Sequence, residues 1–119
     1  MDPWIHGFRV EDQASGAEIG TCGFTAPPTR EGVVEIAYGI ASEHQGKGFA
    51  TEVAEALTGY AFKDVRVSIV RAHTLPVENA SGRVLTKCGF RRVGEVTDPQ
   101  DGLVWRWERA KTGVSAYGL

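Results

Sequence analysis

Cysteine is scarce in this chain: Cys22 and Cys88 are the only two in 119 residues, and they stand far apart. Two isolated cysteines build neither a disulfide framework nor a paired-cysteine metal site. An excess of charge of one sign is lacking as well. The 13 Lys+Arg against 15 Asp+Glu leave a formal net charge of −2 and a pI near 5.9. That balance gives no electrostatic reason to expect nucleic acid or an anionic membrane as partner. No apolar run approaches the roughly 20 residues that cross a bilayer. The opening MDPWIHGFRV carries an acid at Asp2 and no apolar core, so no signal peptide is read. What is left is the expectation of a cytoplasmic domain, with 42% hydrophobic and 24% charged residues. One domain of this size buries about two-thirds of its unfolded surface.

Glycine is plentiful, 15 in all, and the hydrophobic period changes near mid-chain. The first half reads as strands. Ile5–Val10 is followed by turn formers at Asp12–Gly16, Ala17–Thr25 ends at Pro27-Pro28, and Val33–Ile40 follows the turn Thr29–Gly32. Such spacing favours an antiparallel meander. From Gly48 onward Ala50, Val53, Ala54, Leu57 and Ala61 recur at i, i+3, i+4, i+7 and i+11, which predicts a helix over about Gly48–Phe62. Val65–Ala72 reads as a strand and breaks at Leu75-Pro76. Asn79 or Ser81 can cap a second helix, whose stripe is Val84, Leu85 and Cys88 and whose end is marked by Gly89. Phe90–Val96 and Leu103–Arg109 are the last strands, joined by the turn-rich Thr97–Gly102. The order is β-β-β-α-β-α-β-β: a single α+β domain over residues 1–109, then a tail, 110–119, with little periodicity.

The informative segment runs from Glu35 to Thr51, a strand leading through Gln45-Gly46-Lys47-Gly48 into the first helix. A helix N-terminus carries about half a positive charge and exposes unpaired N–H groups. Glycines let those amides approach a phosphate closely, and Lys47 adds charge. A P-loop is excluded, because Gly48 rather than Ser or Thr follows Lys47 and position 41 is Ala. A dinucleotide fingerprint lacks its third glycine, since Thr51 stands there, and finds no acid in the later strand, which holds Arg66, Ser68 and Val70. Glycines that only permit a tight turn remain the plain alternative.

A third reading comes from resemblance. Gln45-Gly-Lys-Gly48-Phe-Ala50 resembles the pyrophosphate loop of the GNAT superfamily of N-acetyltransferases, [Gln/Arg]-x-x-Gly-x-[Gly/Ala]. Asn79-Ala-Ser81-Gly-Arg-Val-Leu85-Thr-Lys87-Cys-Gly89-Phe90 is similar to that family's second helix and its Gly-Phe exit. With Glu35-Ile-Ala-Tyr38, the pattern is similar to the branch of ribosomal-protein N-terminal acetyltransferases, RimJ/RimL-like, and covers about residues 17–109. The resemblance implies a mixed, largely antiparallel twisted sheet with one parallel pair and two main helices. It implies acetyl-CoA as cosubstrate and no metal. It also implies that two neighbouring parallel strands, here Val33–Ile40 and Val65–Ala72, splay apart and offer backbone groups to the pantetheine arm.

Carried over residue by residue, the arm meets the backbone of Tyr38, Gly39 and Ile40. The diphosphate sits on amides of Gly46, Lys47, Gly48, Phe49, Ala50 and Thr51 beside Gln45, and Asn79 contacts the cofactor. Asn79 also reads as a plain helix cap, and Gln45 as a solvated loop residue. The reaction implied is acetyl transfer to a primary amine by direct attack in a ternary complex. Glu35 matches a strand glutamate that acts as base in some relatives; the alternative for it is an ion-paired surface glutamate. His73 and Glu78 are weaker candidates.

Two departures from the family pattern stand out. Where many relatives place a tyrosine as general acid in the second helix, counting from Ser81 gives Leu85. The strand and two helices that usually wall the acceptor pocket are also missing, with about 47 residues before the glycine loop, all reading as strands. A homodimer that completes the pocket is the expectation. An acyl-CoA-binding module without transferase activity is the rival reading. Leu103, Trp105 and Trp107 alternate on one side of the last strand, as core or as a cleft wall. Cys22 and Cys88 read as small buried hydrophobes.

Overall fold

The computed structural model describes residues 3–4, 7–41, 44–46 and 48–111. Six strands and two helices follow the expected order: β1 Phe8–Glu11, β2 Glu18–Phe24, β3 Val33–Ile40, α1 Phe49–Phe62, β4 Ile69–Thr74, α2 Ala80–Lys87, β5 Arg91–Asp98 and β6 Gly102–Ala110. They form one sheet in the order β1-β2-β3-β4-β6-β5. Every pairing is antiparallel except that of β3 with β4. The expected mixed, largely antiparallel sheet with two helices is therefore what the chain forms.

Both helices pack on one sheet face. The stripe Val53, Ala54, Leu57 and Ala61 of α1 is buried against Val34 and Ile36 of β3 and Val70 and Ala72 of β4. Leu85 and Cys88 extend this core from α2, and Trp107 closes it from β6. The end of α2 shows why Gly89 is where it is. Gly89, at φ 85°, donates to Thr86 O (3.1 Å), and Phe90 N donates to Leu85 O (2.9 Å). That is a Schellman ending, with Phe90 and Leu85 both buried.

The expected boundary that moves furthest is the start of β4. The alternation Val65, Val67, Ile69 reads as strand, yet β4 begins only at Ile69. Asp64 takes the preceding residues into a turn: its Oδ1 accepts from Arg66 N (2.9 Å) and Nε (3.0 Å), and its backbone carbonyl accepts from Val67 N (3.0 Å). Val65 is left 93% exposed while Val67 drops into the core. Gly32 then fixes the start of β4, because its carbonyl accepts from both Ser68 N and Ile69 N. A Cβ at Gly32 would stand 2.6 Å from Ser68 Oγ. The strand in turn runs two residues further than expected, to Thr74, and so carries His73 into the sheet.

The parallel pair is short. Of the eight residues of β3, only Val33, Val34 and Glu35 pair with β4, opposite Ile69, Val70 and Arg71. Beyond that point β4 stays bonded to β6 alone (Ala72↔Trp107, His73↔Arg106, Thr74↔Trp105). The strands part at Glu35, as the splay expectation required, with Ile69–Thr74 rather than Val65–Ala72 as the second strand.

Candidate active site

The wedge between the parted strands leads to the start of α1. Gly46 and Gly48 both adopt left-handed backbone (φ 81° and 86°), and a Cβ at either would meet nothing within 4 Å. Conformation, not crowding by the protein, demands glycine there, and the space beside them is left open. Gly48 is the N-cap of α1 and supplies no capping side chain. The amides of the first turn are thus uncapped. Gln45 braces the loop from within, its Nε2 donating to Ile40 O at 2.9 Å. Cys88 ties α2 to the same turn through Sγ to Thr51 O at 3.7 Å.

Here a cavity of about 400 Å3 opens. Of the positions expected to hold the cofactor, Tyr38, Gly39, Ile40, Gln45, Gly46, Gly48, Phe49, Ala50 and Thr51 all line it. Lys47 lies outside the described residues. Asn79 is not on the wall. It is the N-cap of α2, with Oδ1 accepting from Gly82 N at 3.0 Å, while its successors Ala80 and Ser81 reach the cavity. Besides Ala80 and Ser81, four wall residues were not among the expected contacts: His44, whose ring stands edge-on to Phe49 at 6.4 Å, Val84, and the basic pair Arg83 and Lys87. The pair's spacing of i, i+4 on α2, off the apolar stripe, was the available signal.

A second cavity, of about 250 Å3, shares Tyr38 and Ser81 with the first. Glu35 lines it, as do His73 and Thr74 of β4, Leu85 of α2, Asp98 of β5 and Asp101 of the last turn. No local pattern marks the two aspartates, because a hairpin far along the chain brings them in. Glu35 Oε2 stands 3.0 Å from His73 Nδ1, and Arg106 Nε donates to His73 Nε2 at 3.1 Å. Glu35 is therefore hydrogen-bonded and one-third exposed rather than free. Glu78 is outside both cavities, its side chain 86% exposed beside Arg92. The position counted for a helix tyrosine is filled by Leu85, which is buried.

Burial sets the hydroxyl and thiol chemistry. It pushes Tyr38 up to about 12, helped by the neighbouring Cys88, so that Tyr38 keeps its proton at neutral pH and can donate a hydrogen bond. Cys88 rises to about 11, first through burial and then through the charge of Glu55. Burial also raises Cys22. Neither thiol has the depressed value of a nucleophile. The backbone amides of Asp101 and Gln100 hold Asp98 below the ordinary carboxylate range. Trp105 and Trp107 face neither cavity. Trp107 is core, and Trp105 lies under the Arg92 guanidinium at 3.9 Å, while Leu103 is exposed. Among the described residues no group of three or more His, Cys, Asp or Glu is placed to hold a metal, and no helix is long and apolar enough to cross a membrane.

The sequence profile of the Acetyltransferase (GNAT) domain matches residues 2–91, three-quarters of the chain. The chain belongs to this family. It is 34% identical over 104 residues to a Bacillus licheniformis protein named uncharacterized N-acetyltransferase p20, covering 87% of this chain and 54% of that one. The structure of a GNAT-family acetyltransferase from Bacillus anthracis superposes with a TM-score of 0.76 at 25% identity, over 87% of this chain and 65% of the other. That of aminoglycoside acetyltransferase AAC(6')-Ib in complex with coenzyme A gives 0.71 at 27% identity, over 82% and 62%. This GNAT domain thus spans about half the length of the curated relatives it matches.

Proposed function

We propose that this domain transfers acetyl from acetyl-CoA to a primary amine, by direct attack within a ternary complex. The junction of the two cavities carries the reading: uncapped helix amides open onto one side and a carboxylate onto the other, with Tyr38 and Ser81 in both walls. The amides of Gly46, Gly48, Phe49, Ala50 and Thr51 suit a diphosphate, and Lys47 keeps its proposed place beside them. The arm would meet the backbone of Tyr38, Gly39 and Ile40, where Ile40 O is already held by Gln45. Asn79 has its Nδ2 free of the cap to offer, while Oδ1 already accepts from Gly82 N. That coenzyme A accompanies AAC(6')-Ib, with and without kanamycin, supports both the cosubstrate and an amine acceptor.

In the reaction the amine nitrogen bonds to the thioester carbonyl carbon, the carbon–sulfur bond breaks, and the sulfur leaves as thiolate. The nitrogen's proton passes to Glu35 and on to solvent. A lysine-like amine must first lose a proton at a cost of about 4–5 kcal/mol at neutral pH, whereas an α-amine costs about 1–1.5 kcal/mol. A coenzyme A thiol of pKa near 8–9 can depart unaided, so the absence of an acid at Leu85 is tolerable. The acceptor is proposed as a protein N-terminus, as in the RimJ/RimL-like branch, or a small amine, and the protein as a homodimer. A monomer in sedimentation that is fully active at nanomolar concentration refutes the dimer.

Leu85 favours one rival, a module that binds acyl-CoA without turnover. A screen of peptides and small amines for free-thiol release separates the two. Release above hydrolysis with an amine supports the transferase; none with any amine favours the module.

A further inference from the structure

Three strands contribute one side chain each to a hydrogen-bonded row across the mouth of the split: Glu35 from β3, His73 from β4 and Arg106 from β6. His73 and Arg106 are direct cross-strand partners. Glu35 and Arg71 are the last bonded pair before the strands part, so the His73–Glu35 contact spans the gap just beyond it.

The direction of the row follows from chemistry. A guanidinium can only donate. Arg106 Nε reaches His73 Nε2 at 3.1 Å, so Nε2 must be the accepting nitrogen of a neutral ring. The ring's single proton then sits on Nδ1 and is donated to Glu35 Oε2 at 3.0 Å. Both nitrogens are engaged, which removes His73 as a base. Among the described residues, Oε1 of Glu35 has no partner and is the oxygen left to take a proton.

The geometry points to Arg106 as a positioning residue: through His73 it turns one oxygen of Glu35 away and leaves the other for the acceptor's proton. This rests on the reading of Glu35 as the base. Arg106 fills the Nε2 lone pair and leaves no room there for a ring proton. Were the ring to become an imidazolium, it would form an ion pair with Glu35 and weaken it as a proton acceptor. The other charges facing this row are the Arg71–Glu108 pair (2.7 Å) on β4 and β6, Asp98 of β5 and Asp101 of the following turn.

The test joins a spectroscopic readout to a kinetic one. Nitrogen-15 spectra of the wild-type His73 side chain should show the Nδ1–H tautomer. Arg106→Met, which keeps the apolar stem, should free Nε2 to carry a proton. An opposite charge at this distance lowers carboxylate basicity by about one unit or more. The ratio of kcat/KM at about pH 8.5 to that at about pH 6 should accordingly grow roughly tenfold, with KM for acetyl-CoA unchanged. Arg106→Lys retains a cationic donor and should restore most of the wild-type profile. A wild-type Nε2–H tautomer overturns the proposal, and that measurement needs no variant. So does Arg106→Met with wild-type tautomer and wild-type pH profile. Full activity of Glu35→Gln is the separate failure: it removes Glu35 as base, whichever nitrogen carries the proton.

Discussion

Trp107 Nε1 donates to Thr74 Oγ1 at 3.0 Å, in a buried position at the far end of β4. The Thr74 hydroxyl in turn donates to Leu75 O at 3.1 Å. By then β4 has parted from β3, so this bond helps hold the free end of the strand to β6. Thr74→Val keeps the shape and strands the indole N–H, which should cost about 1–3 kcal/mol and lower the melting temperature by several degrees. Thr74→Ser should lose far less. Equal melting of Val and Ser variants would contradict the assignment.

Gly48 and Gly59 give a matched pair. Both would place a Cβ in open space, but only Gly48 has positive φ. Gly48→Ala should cost about 1–2 kcal/mol of stability and weaken acetyl-CoA binding by more than tenfold, because the loop must change shape. Gly59→Ala, inside α1, should stabilise by about 0.5–1 kcal/mol and leave binding unchanged. Calorimetric titration of both variants decides it.

These glycines also show where sequence is informative. The loop, Val33–Ile40, α1 and the capping of α2 were legible because local rules govern them: period, cap chemistry and left-handed backbone. The start of β4 was not, because the Asp64 turn competes with an apolar alternation and tertiary contacts at Gly32 decide the outcome. Glu35 could be named from a motif, but His73 as its partner and Arg106 behind it arise from register between strands far apart in the chain.

Arg83 and Lys87 lie on the wall of the larger cavity, both exposed. Replacing either by Ala should weaken coenzyme A binding roughly two- to fivefold, the scale of solvent-exposed ion pairs. The double variant should also flatten the salt dependence of affinity, since screening acts over about 8–10 Å at moderate ionic strength. Affinities measured at low and high salt test this; unchanged slopes would remove the pair from phosphate recognition.

Alkaline pH should destabilise the fold in a predictable window. Tyr38 titrates near 10 when unfolded and about 12 when folded, and Cys88 moves from 9 to about 11. Between those values the folded chain holds more protons than the unfolded one, so stability is intact below pH 9 and falls as pH rises from 9 to about 12. Cys88→Ala should make the decline from pH 9 to 11 shallower, and Tyr38→Phe should do so from 10 to 12. Thermal melts across the range are the check, and parallel curves for wild type and variants would contradict it.

The central claim is that backbone amides at the opening of α1 hold the diphosphate of coenzyme A. Amide nitrogen–proton correlation spectra recorded while coenzyme A is added address it directly. Saturable shifts of Gly46, Gly48, Phe49, Ala50 and Thr51, larger than those across β5 and β6, are the predicted result. Saturation of binding with those five signals unmoved would contradict the account.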